Sequence, residues 1–90
     1  MVQYEIRVEG RVQGVCFRYF VREKAIELGI TGWVKNTSDG SVQIMAQGKS
    51  NQLELFFELL ARGPVLARVK QVIKMQMPSL DQFNGFIIKY

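Results

Sequence analysis

The sequence predicts an α+β fold in which two helices cover one face of a mostly antiparallel sheet. Two segments carry apolar residues at helical spacing, and the segments around them alternate apolar and polar residues as half-buried strands do. Both helical segments run into a glycine, and an Asp-Gly pair separates two of the strands. The resulting order is β-α-β-β-α-β with an added C-terminal strand, which is the ferredoxin-like, split β-α-β pattern.

The first strand and the first helix are predicted by a change in apolar spacing. Tyr4, Ile6 and Val8 alternate with charged residues, which is typical of a half-buried strand. A loop over residues 10–17 follows. A helix is then predicted over residues 18–28, with Gly29 in the position of a helix C-cap glycine. The helical stripe comprises Phe17, Val21, Ala25 and Leu28.

A β-hairpin is predicted next. Strands over residues 30–37 and 41–48 flank Ser38-Asp39-Gly40, and Asp-Gly is a strong hairpin signal. In the second of these strands, the apolar residues that we expect on one face are Val42, Ile44 and Ala46.

The second helix is predicted to begin at Ser50 or Asn51. If Asn51 caps the helix, Glu54 stands where it would complete a capping box. Gly63-Pro64 ends the helix. Its apolar stripe comprises Leu53, Phe56, Phe57 and Leu60.

The remaining chain predicts a long strand, a loop and a closing strand. The long strand covers residues 65–77, and its broken alternation between Val69 and Val72 indicates a bulge or bend. Residues 78–84 form the loop. One face of the closing strand carries Phe86, Ile88 and Tyr90. We expect core or sheet packing for the other large apolar residues, namely Trp33, Phe56, Phe57, Met75 and Met77.

Composition indicates one small domain over residues 1–90. The chain is 48% hydrophobic and 22% charged, as ordinary globular domains are. No apolar run approaches the ~20 residues that cross a bilayer, and the first residues do not resemble a signal peptide. The single cysteine allows no internal disulfide. We therefore expect a cytoplasmic monomer without membrane association.

Charge and missing residue types restrict the partners and the chemistry. The net charge of +4 favours anionic partners, but the basic residues are spread along the chain, so we expect no nucleic-acid binding. With no histidine and one cysteine, a zinc site of imidazole and thiolate ligands is excluded, and so is an imidazole general base. We expect neither a metal nor a cofactor.

The loop between the first strand and the first helix is suited to a phosphate-sized anion. Glycines at 10 and 14 favour a sharp turn with space above it for a ligand, and the loop contains no carboxylate. Free N–H groups and the helix dipole favour an anion at a helix N-terminus, and Arg18 adds a planar cationic fork. The candidate phosphate-binding amides are those of Gln13, Gly14, Val15, Cys16, Phe17 and Arg18.

Two motifs, one from Gly10 to Arg18 and one from Gly32 to Val42, resemble those of the acylphosphatase family. The pattern Gly-x-Val-Gln-Gly-Val-x-Phe-Arg is met from Gly10 to Arg18. The pattern Gly-Trp/Tyr-Val-x-Asn, followed by an acidic-Gly-x-Val turn, is met from Gly32 to Val42. The segments after Gly63 and Gly85 are also similar to the family, so the resemblance covers essentially the whole chain. It implies hydrolysis of the carboxyl–phosphate bond of acyl phosphates without metal or cofactor.

The predicted topology brings the two motifs together. The first strand and the strand that ends near Asn36 both run towards the same end of the sheet. The resemblance implies that Arg18 holds the phosphate, or a bound phosphate or sulfate anion, while Asn36 orients the attacking water. Thr37, Asp39 and Gly40 are expected to shape the turn that presents Asn36. A carboxylate leaving group suits such a site, because positioning and charge stabilisation could suffice.

Three other interpretations stay open at this point. Residues 16–22 fit the Cys-x5-Arg pattern of cysteine phosphatases, although bulky residues replace the open loop which that motif needs. An RNA-recognition module shares the element order, but the strand over residues 41–48 has no aromatic residue for base stacking. The third is a phosphate-binding domain without turnover, or a carbamoyl phosphate-hydrolysing domain of a larger enzyme.

Overall fold

The computed structural model describes residues 1–90 and has the predicted α+β architecture. Five strands form one sheet, and two helices pack on one of its faces. The elements in chain order are β1 (Val2–Arg11), α1 (Phe17–Glu27), β2 (Thr31–Asn36), β3 (Val42–Gly48), α2 (Ser50–Arg62), β4 (Arg68–Met77) and β5 (Phe86–Lys89).

The sheet is mixed, and its order is β4-β1-β3-β2-β5. β1 pairs antiparallel with both β3 and β4, and β2 pairs antiparallel with β3. The added strand β5 pairs parallel with β2. As expected, the C-terminal ends of β1 and β2 lie at the same end of the sheet, since both strands run antiparallel to β3.

The core lies between the helices and one face of the sheet. The predicted stripe of α2 is entirely buried, and α1 buries Phe17, Val21 and Ala25. α1 packs mainly over β2 and β5, whereas α2 packs over β4 and β3. Because each helix covers a different half of the sheet, the N-terminus of α1 lies above the β2 side, where Asn36 ends its strand.

The predicted bulge in the long strand is present. Glu9 pairs with Gln71 and Gly10 with Val69, so Lys70 has no partner in β1. Gly10 permits this close approach, with φ of +128°. A Cβ at this position would lie 2.1 Å from the carbonyl oxygen of Arg68. The prediction that Gly10 turns the chain and leaves space for a ligand is therefore wrong: Gly10 lies within β1 and its open side is filled by β4.

Two predicted boundaries also differ from the structure. The α2 helix is capped by Lys49 without a side-chain hydrogen bond, so the capping box of Asn51 and Glu54 does not form. β4 begins at Arg68 instead of residue 65, because the N–H of Ala67 donates to the carbonyl of Pro64 at 3.0 Å and closes a turn. Neither helix is long and apolar enough to cross a membrane.

Candidate active site

The loop between β1 and α1 alternates in backbone handedness. Gly14 has φ of +73° and Cys16 has φ of +62°, and Cys16 is the only non-glycine residue with positive φ. Cys16 is also the N-cap of α1, but its side chain forms no capping hydrogen bond. The first turn of α1 contains no acidic residue. Alternating backbone handedness turns successive N–H groups towards a common point, which forms an anion-binding concavity.

The N–H groups of this loop are free. From Gln13 to Tyr19 none donates a hydrogen bond to another protein atom; the first helical bond runs from the N–H of Phe20 to the carbonyl of Cys16, at 3.0 Å. A helix N-terminus leaves such donors unpaired and carries partial positive charge. The loop can therefore donate several hydrogen bonds to one anion without losing any that the fold requires.

Arg18 is held at this helix terminus by the end of β5. Its Nη1 donates to the carbonyl of Lys89 at 3.4 Å, and its Cζ lies 4.8 Å from the centroid of the Tyr90 ring. It has no carboxylate partner within salt-bridge distance. A guanidinium has five N–H donors, so most of those of Arg18 remain available to a ligand.

Asn36 contributes an unpaired acceptor to the same site. It is the last residue of β2, and its Oδ1 is buried without any hydrogen-bond partner. A buried acceptor without a partner is costly for the fold, by about 1–3 kcal/mol. A catalytic role is one explanation for such a group, and Asn36 lines a cleft that has room for a ligand or water.

The turn after Asn36 is fixed by a network around Asp39. The Asp39 carboxylate accepts hydrogen bonds from the Ser41 hydroxyl at 2.6 Å and the Ser41 N–H at 3.0 Å, and also from the Thr37 hydroxyl and the Arg7 guanidinium. The Ser41 hydroxyl contributes most to lowering the pKa of Asp39 well below its usual range, followed by the Thr37 hydroxyl. Gly40 closes the turn with φ of +91°. These contacts hold the turn that follows Asn36.

Gln13 joins the two motifs directly. Its Nε2 donates to the carbonyls of Thr37 and Ser41, both at 2.8 Å. The side chain of Gln13 thus fastens the β1–α1 loop to the turn after Asn36. We predicted a role for its backbone N–H only, because nothing in the sequence indicates which carbonyls its side chain will meet.

One cleft with a volume of about 210 Å³ is lined by half of the predicted site residues. It is lined by Gly14, Cys16, Phe17 and Arg18 from the loop and helix terminus, and by Asn36 from β2. Gln13 and Val15 do not line it, nor do Thr37, Asp39 and Gly40. The structure therefore places Arg18 and Asn36 in one cleft, and the turn residues lie outside its lining. The thiol of Cys16 is exposed.

Four lining residues were not predicted for the site: Val12, Tyr19, Ile88 and Tyr90. Tyr19 directly follows Arg18 in α1, so its place at the helix terminus could have been inferred. Ile88 lies in β5 and Tyr90 directly follows it, and no sequence pattern indicated the parallel pairing of this strand with β2. The chain contains no group of three or more His, Cys, Asp or Glu side chains that could hold a metal ion.

A family model and individual relatives both match this chain, and they carry the same family name. The family model described as Acylphosphatase matches residues 4–88. A protein of Bacillus licheniformis named acylphosphatase is 43% identical over 90 residues, which cover 100% of both chains.

Solved structures agree in both sequence and fold. The crystal structure of acylphosphatase from Bacillus subtilis is 43% identical with a TM-score of 0.97, over 100% of both chains. The crystal structure of T. kodakarensis HypF is 38% identical with a TM-score of 0.87. That match covers 99% of this chain and 12% of HypF, so the same fold occurs there within a much longer protein.

Proposed function

The chain belongs to the acylphosphatase family, whose members hydrolyse acyl phosphates, and we propose how its own residues carry out that reaction. The phosphoryl group is held by the backbone N–H groups of residues 13–18 and by Arg18, and the attacking water is oriented by Asn36. One observation carries this proposal: one small cleft is bordered by free N–H donors, by a guanidinium without a carboxylate partner and by Asn36, whose buried amide oxygen has no hydrogen-bond partner.

The anion is bound mainly by preorganised donors. The loop N–H groups are already unpaired, so they need no rearrangement when a phosphate replaces solvent. Arg18 adds charge-assisted hydrogen bonds, and its contacts with Lys89 and Tyr90 limit the freedom of the guanidinium. Donors fixed in this way stabilise the charge that spreads over the phosphoryl oxygens during transfer.

Asn36 acts on the water and not on its proton. A neutral amide cannot accept a proton at neutral pH, but its oxygen can accept a hydrogen bond and so orient a water molecule. The water oxygen attacks phosphorus, the bond from phosphorus to the acyl oxygen breaks, and the carboxylate leaves with the bonding electrons. The proton of the water passes to a phosphate oxygen, so no side-chain base is required.

The leaving group explains why this site suits acyl phosphates. A carboxylate leaves readily without a general acid, whereas the alkoxide of a phosphomonoester does not. The chain has no histidine, and no Asp or Glu side chain lines the cleft. Positioning and electrostatic stabilisation are then the main contributions that the site can make. We also propose that residues 1–90 act as one cytoplasmic, monomeric domain, without a metal or cofactor.

The test is the hydrolysis of benzoyl phosphate in excess EDTA, with phenyl phosphate, a simple aryl phosphomonoester, as the comparison substrate. We expect turnover of benzoyl phosphate and little turnover of the monoester. Arg18→Ala should lower the first rate by about 10²–10³-fold. Arg62→Ala is the matched control, because Arg62 is an exposed arginine at the end of α2. Equal rates on the two substrates, or loss of activity with EDTA, would refute the proposal.

A further inference from the structure

A second cleft borders the same loop. It has a volume of about 320 Å³ and is lined by Arg11, Gly14, Val15, Val65, Leu66 and Arg68. Its arginines come from β1 and β4, whereas the candidate active site takes Asn36 and Ile88 from β2 and β5. Since β4 and β1 lie on the opposite side of β3 from β2 and β5, the loop lies between the two clefts.

Two arginines in this cleft have no anionic partner. Arg11 and Arg68 are directly opposite each other on β1 and β4, and both are exposed. Neither guanidinium takes part in a salt bridge or a side-chain hydrogen bond. Like charges directly opposite each other on neighbouring strands destabilise a sheet. An anion bound between them would relieve this repulsion.

One side of the same cleft is formed by exposed aliphatic side chains. Val65 is 95% exposed and Leu66 is 72% exposed. They occupy the corner of the turn that the N–H of Ala67 closes on the carbonyl of Pro64, and Ala67 is itself buried. Because the turn is hydrogen-bonded and its next residue is anchored in the core, the backbone directs both side chains towards solvent. Half-buried Val15 extends this side of the cleft towards the loop.

The β1–α1 loop has no side chain at Gly14, where it separates the two clefts. Gly14 lines both of them, and a Cβ built at this position would meet no atom within 4 Å. An extended ligand could therefore cross from one cleft to the other over Gly14 without displacing a side chain. An acyl phosphate whose phosphoryl group occupies the first cleft has an acyl chain that can extend in this direction.

We propose that the second cleft binds the acyl part of the substrate, and that it selects acyl phosphates whose aliphatic chain ends in a carboxylate. The chain would lie against Val15, Val65 and Leu66, and the carboxylate would bind Arg11 and Arg68. The monoacyl phosphates of short dicarboxylic acids have this chemistry. This inference depends on the proposed function, because it places the reacting phosphoryl group in the first cleft.

The test compares substrates that differ only at the far end of the chain. Succinyl, glutaryl and adipoyl phosphate are each paired with the neutral acyl phosphate of equal length, which is butyryl, pentanoyl or hexanoyl phosphate, after subtraction of spontaneous hydrolysis. We expect wild type to favour the carboxylate substrate by about tenfold in kcat/KM at one or more lengths, mainly through KM. High salt should reduce this preference.

Variants assign the preference to the two arginines. Arg11→Gln with Arg68→Gln should abolish the preference while the neutral substrates keep their kcat/KM within about twofold. Arg62→Gln is the matched control and should keep the preference. Each single substitution should reduce the preference partly, which keeps the test available if the double variant does not fold.

Several results would overturn the inference. They are the absence of any preference in wild type, an unchanged preference in the double variant, or an equal loss on both substrates of a pair, which would indicate a structural role. Failure of wild type to hydrolyse any acyl phosphate would instead refute the proposed function, and the acyl subsite with it. Hydrolysis without selectivity would refute the subsite alone.

Discussion

Replacing Asn36 by alanine is expected to remove catalysis without weakening the fold. The side chain of Asn36 forms no hydrogen bond with the rest of the protein, and its Oδ1 is buried without a partner. Its backbone pairs with Val42 in the sheet, which alanine would preserve. The substitution therefore removes the proposed contact with water and leaves the structural contacts of this strand in place.

The substitution should leave the unfolding free energy unchanged or higher, while it lowers turnover. A buried unsatisfied acceptor costs a fold about 1–3 kcal/mol, and alanine removes that cost. Some packing is lost as well, so the unfolding free energy should stay level or rise by about 1 kcal/mol. In a domain of this size, such a gain corresponds to roughly 4–8 °C in Tm. Turnover should fall by about 10²–10³-fold, the usual effect of removing one positioned polar group at a transition state.

Initial rates with benzoyl phosphate and thermal unfolding on the same preparations measure both quantities. Asn51→Ala is the matched control, because Asn51 is exposed in the first turn of α2 and should change neither rate nor Tm strongly. Inorganic phosphate should still raise the Tm of Asn36→Ala, since the proposed anion contacts remain. Near-normal turnover would refute the water-orienting role, and a parallel loss of Tm and rate would indicate a structural residue.

Three further substitutions, one of them with a matched control at a second glycine, test other parts of the account. Cys16→Ala should keep most turnover with benzoyl phosphate, because the proposed contact uses only the N–H of this residue; an inactive but folded variant would point to a thiol nucleophile. Gly10→Ala should lower the unfolding free energy in urea by about 2–6 kcal/mol, because its Cβ would lie 2.1 Å from a β4 carbonyl. Gly85→Ala, which has positive φ but open space, should cost less, and equal costs would contradict this reasoning. Asp39→Asn should flatten the loss of stability in acid: the lowered pKa of Asp39 stabilises the fold above the unfolded value of about 3.9, and this contribution is lost as pH falls towards the folded value. An unchanged acid profile in urea unfolding would show that this carboxylate does not contribute.

The elements that the sequence predicted best are those whose signal is local. The stripe of α2 is a helical repeat of large apolar residues, and all four are buried as expected. Broken alternation after Val69 correctly indicated a bulge, because one unpaired residue changes which face the following side chains occupy. Such patterns depend on neighbours along the chain, so no tertiary information is needed to interpret them.

Predictions from residue type alone were wrong where tertiary contacts determine the local structure. Asn51 and Glu54 have the spacing of a capping box, yet the helix begins at Ser50, and Lys49, two residues before Asn51, takes the cap position. Gly10 looked like a turn residue because glycine tolerates positive φ, but the same property also permits close backbone contact with β4. The residue type was informative in both cases, and only the partner could not be inferred.

The candidate site shows the same division. Arg18 and Asn36 could be placed together from element order, because two strands running in one direction end at one side of the sheet. The contacts of Tyr90 and Lys89 with Arg18 depend on the position of β5 next to β2. The role of the Gln13 side chain depends on a distance between two loops. Neither relation leaves a pattern in the sequence.

The central claim is that the N–H groups of residues 13–18, together with Arg18, hold the phosphoryl group. Titration of ¹⁵N-labelled protein with inorganic phosphate, followed by two-dimensional amide NMR, tests this claim most directly. We predict saturable shifts for the amides of residues 13–18, and much weaker binding in Arg18→Ala. Saturable binding that leaves these amides unchanged, or equal affinity in Arg18→Ala, would contradict the account.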